Sequence, residues 1–79
     1  MTKEIVEREL REIIVKYLEI AEENISAAMD LEKDLGADSL DIVEIVMALE
    51  DKYNIKVRGE DQEKIKTFGN LVDLVAAKA

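Results

Sequence analysis

Gly36-Ala37-Asp38-Ser39-Leu40-Asp41-Ile42-Val43-Glu44-Ile45-Val46-Met47-Ala48-Leu49-Glu50-Asp51-Lys52-Tyr53 is the stretch from which the fold of this chain can be read. Asp38 has the short side-chain oxygen that suits a helix N-cap. Asp41, three residues on, makes an approximate capping box and puts acid at the positive helix end. The helix runs from about Ser39 to Tyr53, and Asn54 ends it. With Ser39 at zero and a step of about 100° per residue, Ile42, Ile45, Val46, Leu49 and Tyr53 cluster near roughly 300°, an ordinary buried stripe. Leu40, Val43 and Met47 cluster near roughly 70° on the same wheel. Glu50 flanks this second stripe on one side, Glu44 and Asp51 flank it on the other, and Ser39 lies between the two stripes. The second stripe is either a partly exposed docking face or core of a bundle buried on more than one side. The chain has little material to cover it, which favours the docking face.

Before this helix, Val6, Leu10, Ile13, Ile14, Tyr17, Leu18 and Ala21 step by three and four, which predicts a first helix with Thr2 as its N-cap. Glu12 and Lys16 are spaced as an i,i+4 pair on its outer face. From about Glu22 to Ala37 the periodicity fails, leaving Ile25, Leu31 and Leu35 as apolar anchors. A connection of about 16 residues is long against the usual 4–6 or so. It is expected to hide a turn of helix around Leu31–Asp34 and to lie pinned across the bundle by those anchors. After Asn54, Lys56-Val57-Arg58-Gly59 is a bend with Val57 as its anchor. Glu60 to Ile65 is expected to form one short helix with Ile65 pointing in. Thr67 then caps a final helix whose apolar face is Phe68, Leu71, Val72 and Val75, with Leu74 beside it. The expected fold is all-α: a small four-helix bundle of three longer helices and one short one, with a long first loop, in a single domain over residues 1–79.

Composition narrows the chemistry. The chain has 79 residues, no cysteine, no histidine and no proline. A chain this short buries only about 60% of its extended surface, and neither a disulfide nor a Cys/His zinc site can help it. Stability therefore rests on aliphatic packing, in keeping with 48% hydrophobic and only 4% aromatic residues. Without histidine, no His-based general base or triad can be built. The carboxylates sit on solvated faces with neither the alternating spacing nor the terminal glutamate of a calcium loop. No metal site and no enzymatic activity are expected. The net charge of -8, from 19 acids and 11 bases, disfavours nucleic acid and anionic lipid and favours partners presenting Lys/Arg patches. The plain alternative is that the acidity only serves solubility. The start lacks a secretory pattern and no run of about 18 apolar residues exists, so a cytoplasmic monomer without membrane insertion is expected.

What remains is Ser39. A hydroxyl at a helix start can be modified, and a phosphate on it would meet free N–H groups and the positive dipole end. On base rates an Asp-Ser pair there is only a cap, but its context weighs more. The run Gly36 to Glu50 closely resembles the modification site and second helix of acyl carrier proteins. Leu31, Asp34-Leu35, Glu63-Lys64-Ile65 and the Thr67-capped helix also have counterparts in that family.

The resemblance implies that Ser39 carries 4′-phosphopantetheine, flanked by Asp38 and Leu40 and installed by a separate phosphopantetheinyl transferase. It implies acyl chains held as thioesters on the terminal thiol, for fatty-acid or related polyketide or lipid biosynthesis. It implies acyl-processing enzymes that meet Leu40, Asp41, Val43, Glu44, Met47, Glu50 and Asp51 with basic patches. Positions matching the family's acyl-chain lining are Leu31, Met47, Leu49, Val57, Ile65 and Leu71, which read simply as core from periodicity alone. Lys52, Lys56 and Arg58 depart from the family's usual acidity beyond Glu50, and Gly59 replaces a proline-marked bend, which puts the partner set in question. The other readings are an unmodified acidic helical adaptor and a carrier of another cargo such as an aminoacyl group.

Overall fold

The computed structural model describes residues 2–79. It contains α1 (Lys3–Leu18), α2 (Ser39–Tyr53), α3 (Gly59–Gln62) and α4 (Phe68–Lys78), with a single 3₁₀ turn at Glu22–Asn24 after α1. No strand forms among the described residues beyond one isolated bridge, Asp30 to Thr67. α1 packs against both α2 and α4. Their shared interior holds Val6, Leu10 and Ile14 from α1, Ile45 and Leu49 from α2, and Phe68, Leu71, Val72 and Val75 from α4. Burying such side chains contributes about 1.5–3 kcal/mol each, the main favourable term in a chain without covalent staples.

α1 is capped by Thr2, whose Oγ1 accepts from the Ile5 N–H at 3.4 Å. It ends earlier than its apolar periodicity suggests. Glu19 adopts a left-handed conformation with φ 54°, and its N–H closes the last turn on the Val15 carbonyl. This αL cap redirects the chain, so Ala21, expected on the helix, is exposed outside it.

The connection from Glu19 to Asp38 is pinned as expected by Ile25, Leu31 and Leu35, all buried. Polar clips hold it as well. Arg11 donates to the carbonyls of Ile25 and Glu22 and to the Glu7 carboxylate at 2.6 Å, while its guanidinium stacks 5.2 Å from the Phe68 ring centre. Asp30 caps the turn over Leu31–Leu35, its Oδ1 accepting from the N–H groups of Glu32 and Lys33 at 2.9 Å each. The Leu31 N–H donates to the Lys66 carbonyl and the Phe68 N–H to the Met29 carbonyl. The loop is thereby stitched to the start of α4. At the adjoining position, Gly69 lies so close that a Cβ would stand 2.9 Å from the Ala27 carbonyl oxygen.

α3 is shorter than expected. It ends at Gln62, and the chain continues in tighter turns, with the Lys64 N–H bonded to the Asp61 carbonyl and the Ile65 N–H to that of Gln62. At its start, Asp61 closes the first turn on Arg58. The residue is buried, and its carboxylate accepts the Arg58 N–H at 3.0 Å and pairs with Lys78 of α4 at 3.1 Å. These partners hold its carboxyl below the usual carboxylate range, the Arg58 backbone bond first and the Lys78 bond next. α4 begins with the capping box expected at Thr67, completed by Asn70. The ion pairs formed are Lys3–Asp73, Arg11–Glu7 and Lys78–Asp61, so Glu12 and Lys16 do not pair among the described residues.

Candidate functional site

The start of α2 is built by two carboxylates that answer each other. The Asp38 Oδ1 accepts the Asp41 N–H at 2.8 Å, and the Asp41 Oδ2 accepts the Asp38 N–H at 3.0 Å. A full capping box satisfies two otherwise orphaned backbone groups and fixes the angle at which the chain enters the helix. Between these clamps sit Ser39 and Leu40, the first two residues of α2, both exposed. Neither of their N–H groups has an acceptor among the hydrogen bonds of the described residues. Ser39 thus projects a hydroxyl into solvent beside two free amide donors, at the end where the helix carries about half a positive charge.

That geometry suits an anionic phosphodiester on the serine oxygen. Ser39 is exposed, and the two free donors stand beside its hydroxyl. The carboxylates of Asp38 and Asp41, which would repel an added anion, are turned into the capping box. The residues present therefore fit a phosphate-linked prosthetic group at Ser39.

Along α2, the two apolar stripes have different fates. Ile45, Val46 and Leu49 are buried, and Ile42 and Tyr53 are half-buried against the core. Leu40 is 65% exposed, Val43 48% and Met47 62%. No helix covers this face, because α1 and α4 pack on the other sides of the bundle. Glu44 and Asp51 border it as free, exposed carboxylates. Glu50 is different: it is half-buried, and its Oε2 accepts the Val57 N–H at 2.9 Å, tying α2 to the bend before α3. Sequence reading placed Glu50 on the rim of the stripe but could not see this bond, which spans seven residues.

The set of residues matching the acyl-chain lining is not brought together as one group. Leu31, Leu49 and Leu71 meet in the central core and Ile65 packs against it. Val57 is buried apart from that cluster, and Met47 faces solvent. Leu31 and Ile65 of this set also line a cleft of about 370 Å³ between the long loop, Ile42 of α2 and the residues after α3. No group of three or more His, Cys, Asp or Glu residues able to hold a metal ion occurs among the described residues, and no described helix is long and apolar enough to cross a membrane.

Sequence reasoning missed Arg11, which ties α1 to the long loop, and Asp61, which ties α3 to α4. Arg11 falls outside the apolar positions of α1, and no local signal marks its reach to a carbonyl fourteen residues away.

The family model described as "Phosphopantetheine attachment site" matches residues 8–75. An acyl carrier protein of Wolinella succinogenes is 45% identical over 64 residues, covering 81% of this chain and 84% of that protein. The solved structure of the acyl carrier protein from Enterococcus faecalis superposes with a TM-score of 0.84 at 33% identity, covering both chains completely.

Proposed function

The chain belongs to the acyl carrier protein family, and on that premise we propose that it carries acyl chains as thioesters on a 4′-phosphopantetheine arm attached to Ser39, presenting them to enzymes of fatty-acid or related polyketide or lipid biosynthesis. The cofactor of the family's attachment domain is 4′-phosphopantetheine, and its members handle acyl chains and acyl-processing enzymes. The single observation that carries the choice of Ser39 is its exposure at the first position of α2 beside two unbonded N–H groups.

When bound, the group supplies the terminal thiol that this cysteine-free chain lacks. The chain's own residues hold and present it. Asp38 and Asp41 keep the first turn of α2 rigid, so the serine oxygen has a fixed position and direction. The Ser39 and Leu40 N–H groups stabilise the phosphodiester charge. Leu40, Val43 and Met47 offer burial to a docking enzyme, while Glu44 and Asp51, with Asp41 near the attachment point, steer its basic residues into register. Without histidine or cysteine the chain performs no catalysis itself and acts as a monomeric cytoplasmic carrier, with residues 1–79 as one carrier domain. The acyl chain, when sheltered, would enter through the cleft beside Ile42 and Ile65 toward Leu31, Leu49 and Leu71.

Intact mass after incubation with coenzyme A and a broad-specificity phosphopantetheinyl transferase tests the reading. One phosphopantetheine should be added to the wild type and none to Ser39→Ala. No addition with several such transferases would instead favour an unmodified acidic adaptor.

A further inference from the structure

α3 is held differently from the other helices. Its residues, Gly59-Glu60-Asp61-Gln62, include no apolar side chain, and the one that is buried is Asp61. α1 packs against α2 and α4, but among the described residues α3 has no comparable packing on any of them. Polar links take the place of a hydrophobic face. The Val57 N–H donates to Glu50 of α2 at 2.9 Å, and the next N–H, that of Arg58, donates to Asp61 at 3.0 Å. The Asp61 Oδ2 in turn meets the Lys78 Nζ of α4 at 3.1 Å. The Asp61 side chain is 13% exposed and that of Lys78 29%, so this is not a solvated surface pair of the kind that contributes almost nothing.

The end of α3 and the turns after it form one wall of the cleft beside α2. Gln62 and Ile65 line that cleft opposite Leu31 and Ile42. The wall is pinned on both sides. Downstream, the Lys66 carbonyl accepts the Leu31 N–H; upstream, Asp61 is fastened to Lys78. Only the four residues from Gln62 to Ile65 lie between these pins, so the wall moves outward only when one of them gives way. We propose that the Asp61–Lys78 pair sets how long an acyl chain this protein shelters, by holding the cleft wall in. The inference rests on the carrier reading and adds to it a limit on the substrate. Neither residue lines the cleft, so both act as positioning residues. Each methylene that finds room in the cleft adds favourable burial. A longer chain must part the pair, which strips a buried carboxylate of its cation. A hydrogen bond to a charged group contributes about as much as two to four buried methylenes, so the pair is strong enough to impose a limit of that size.

The test loads the full chain from acyl-coenzyme A thioesters of graded length, butanoyl to hexadecanoyl, with a broad-specificity phosphopantetheinyl transferase. Loading is read by intact mass and Tm by circular dichroism. Each methylene that finds room should raise Tm by up to about 3–6 °C over the unacylated protein, and the gain should then level off. In Lys78→Gln the gain should carry on for about two to four further carbons before levelling. Lys78→Met, which keeps the aliphatic stem, should behave like Lys78→Gln, and Lys78→Arg should restore the wild-type levelling point. A merely structural pair would lower every Tm alike and leave that point unmoved. In the unacylated protein, the Lys64 and Ile65 N–H groups, bonded to the Asp61 and Gln62 carbonyls, should exchange with deuterium about three- to tenfold faster in Lys78→Gln, with a smaller change at Leu49 in the core. Normal loading with the wild-type length profile in both Lys78→Gln and Lys78→Met, or unchanged exchange at Lys64 and Ile65, would overturn this inference alone. No mass gain from any thioester would overturn the carrier reading, and this inference with it.

Discussion

Truncating the exposed stripe of α2 should separate stability from recognition. Complete burial of a Leu, Val or Met side chain is worth about 1.5–3 kcal/mol. Leu40 is 65% and Met47 62% exposed, so little more than a third of that burial is realised, or about 0.5–1 kcal/mol. Alanine has the highest helix propensity and returns a few tenths of a kcal/mol, most for the β-branched Val43. Leu40→Ala, Val43→Ala and Met47→Ala should therefore each cost less than about 1 kcal/mol, and Tm should fall by at most about 4–8 °C for a domain of this size. Leu49 is fully buried on the opposite stripe. Its truncation should cost about 2–5 kcal/mol and lower Tm by at least about 8 °C. Thermal melts followed by circular dichroism measure the stability term. Rates of Ser39 loading and of acyl transfer by a pathway enzyme, taken well below every Tm, measure recognition. The three stripe variants should lose rate with little loss of stability. Tm losses at all three as large as that of Leu49→Ala would show the stripe to be core and refute the docking argument. Intact rates in all three would leave the exposed side chains without a recognition role.

Two further outcomes follow from the charges. Glu44→Lys should slow association with the phosphopantetheinyl transferase or a pathway enzyme while leaving helicity intact, because Glu44 is exposed and outside the capping box. Stopped-flow association of the wild type should slow as salt rises, since such steering is screened over about 8 Å at physiological ionic strength; a rate indifferent to both changes would reduce the acidity to a solubility device. Asp61 titrates in the folded chain below its ordinary value of 3.8 because the Arg58 N–H and Lys78 favour its ionised form. Its contribution is therefore present at neutral pH and is lost as pH falls from about 4 through the lower folded value. Asp61→Asn should lower Tm at pH 7 and weaken its fall between about pH 4 and 2; parallel Tm profiles for variant and wild type would show that the carboxylate does not couple α3 to α4.

The sequence by itself determined what depends on neighbours three or four residues apart. The Asp38–Asp41 box, the extent of α2, the Thr67 cap and the two stripes of α2 follow from local hydrogen bonding and the 3.6-residue turn. The pinning of the long loop by Ile25, Leu31 and Leu35 was legible too, because isolated apolar residues in a polar stretch have only the core to enter. Ser39 was legible as a candidate because so few other side chains in this chain offer chemistry. The tertiary structure decided which apolar face has a neighbour. The helical wheel shows two stripes, but only the placement of α1 and α4 buries Leu49 and leaves Met47 in solvent. Tertiary contacts likewise accompany the altered limits of the short elements. Asp61 is held by a lysine seventeen residues away, and Glu50 by the backbone beyond its own helix. The apolar period of α1 could have continued through Ala21, but the left-handed turn at Glu19 ends it and leads into a loop that Arg11 clasps. Such bonds join residues far apart in the chain, and they form only once packing has brought both partners to one place.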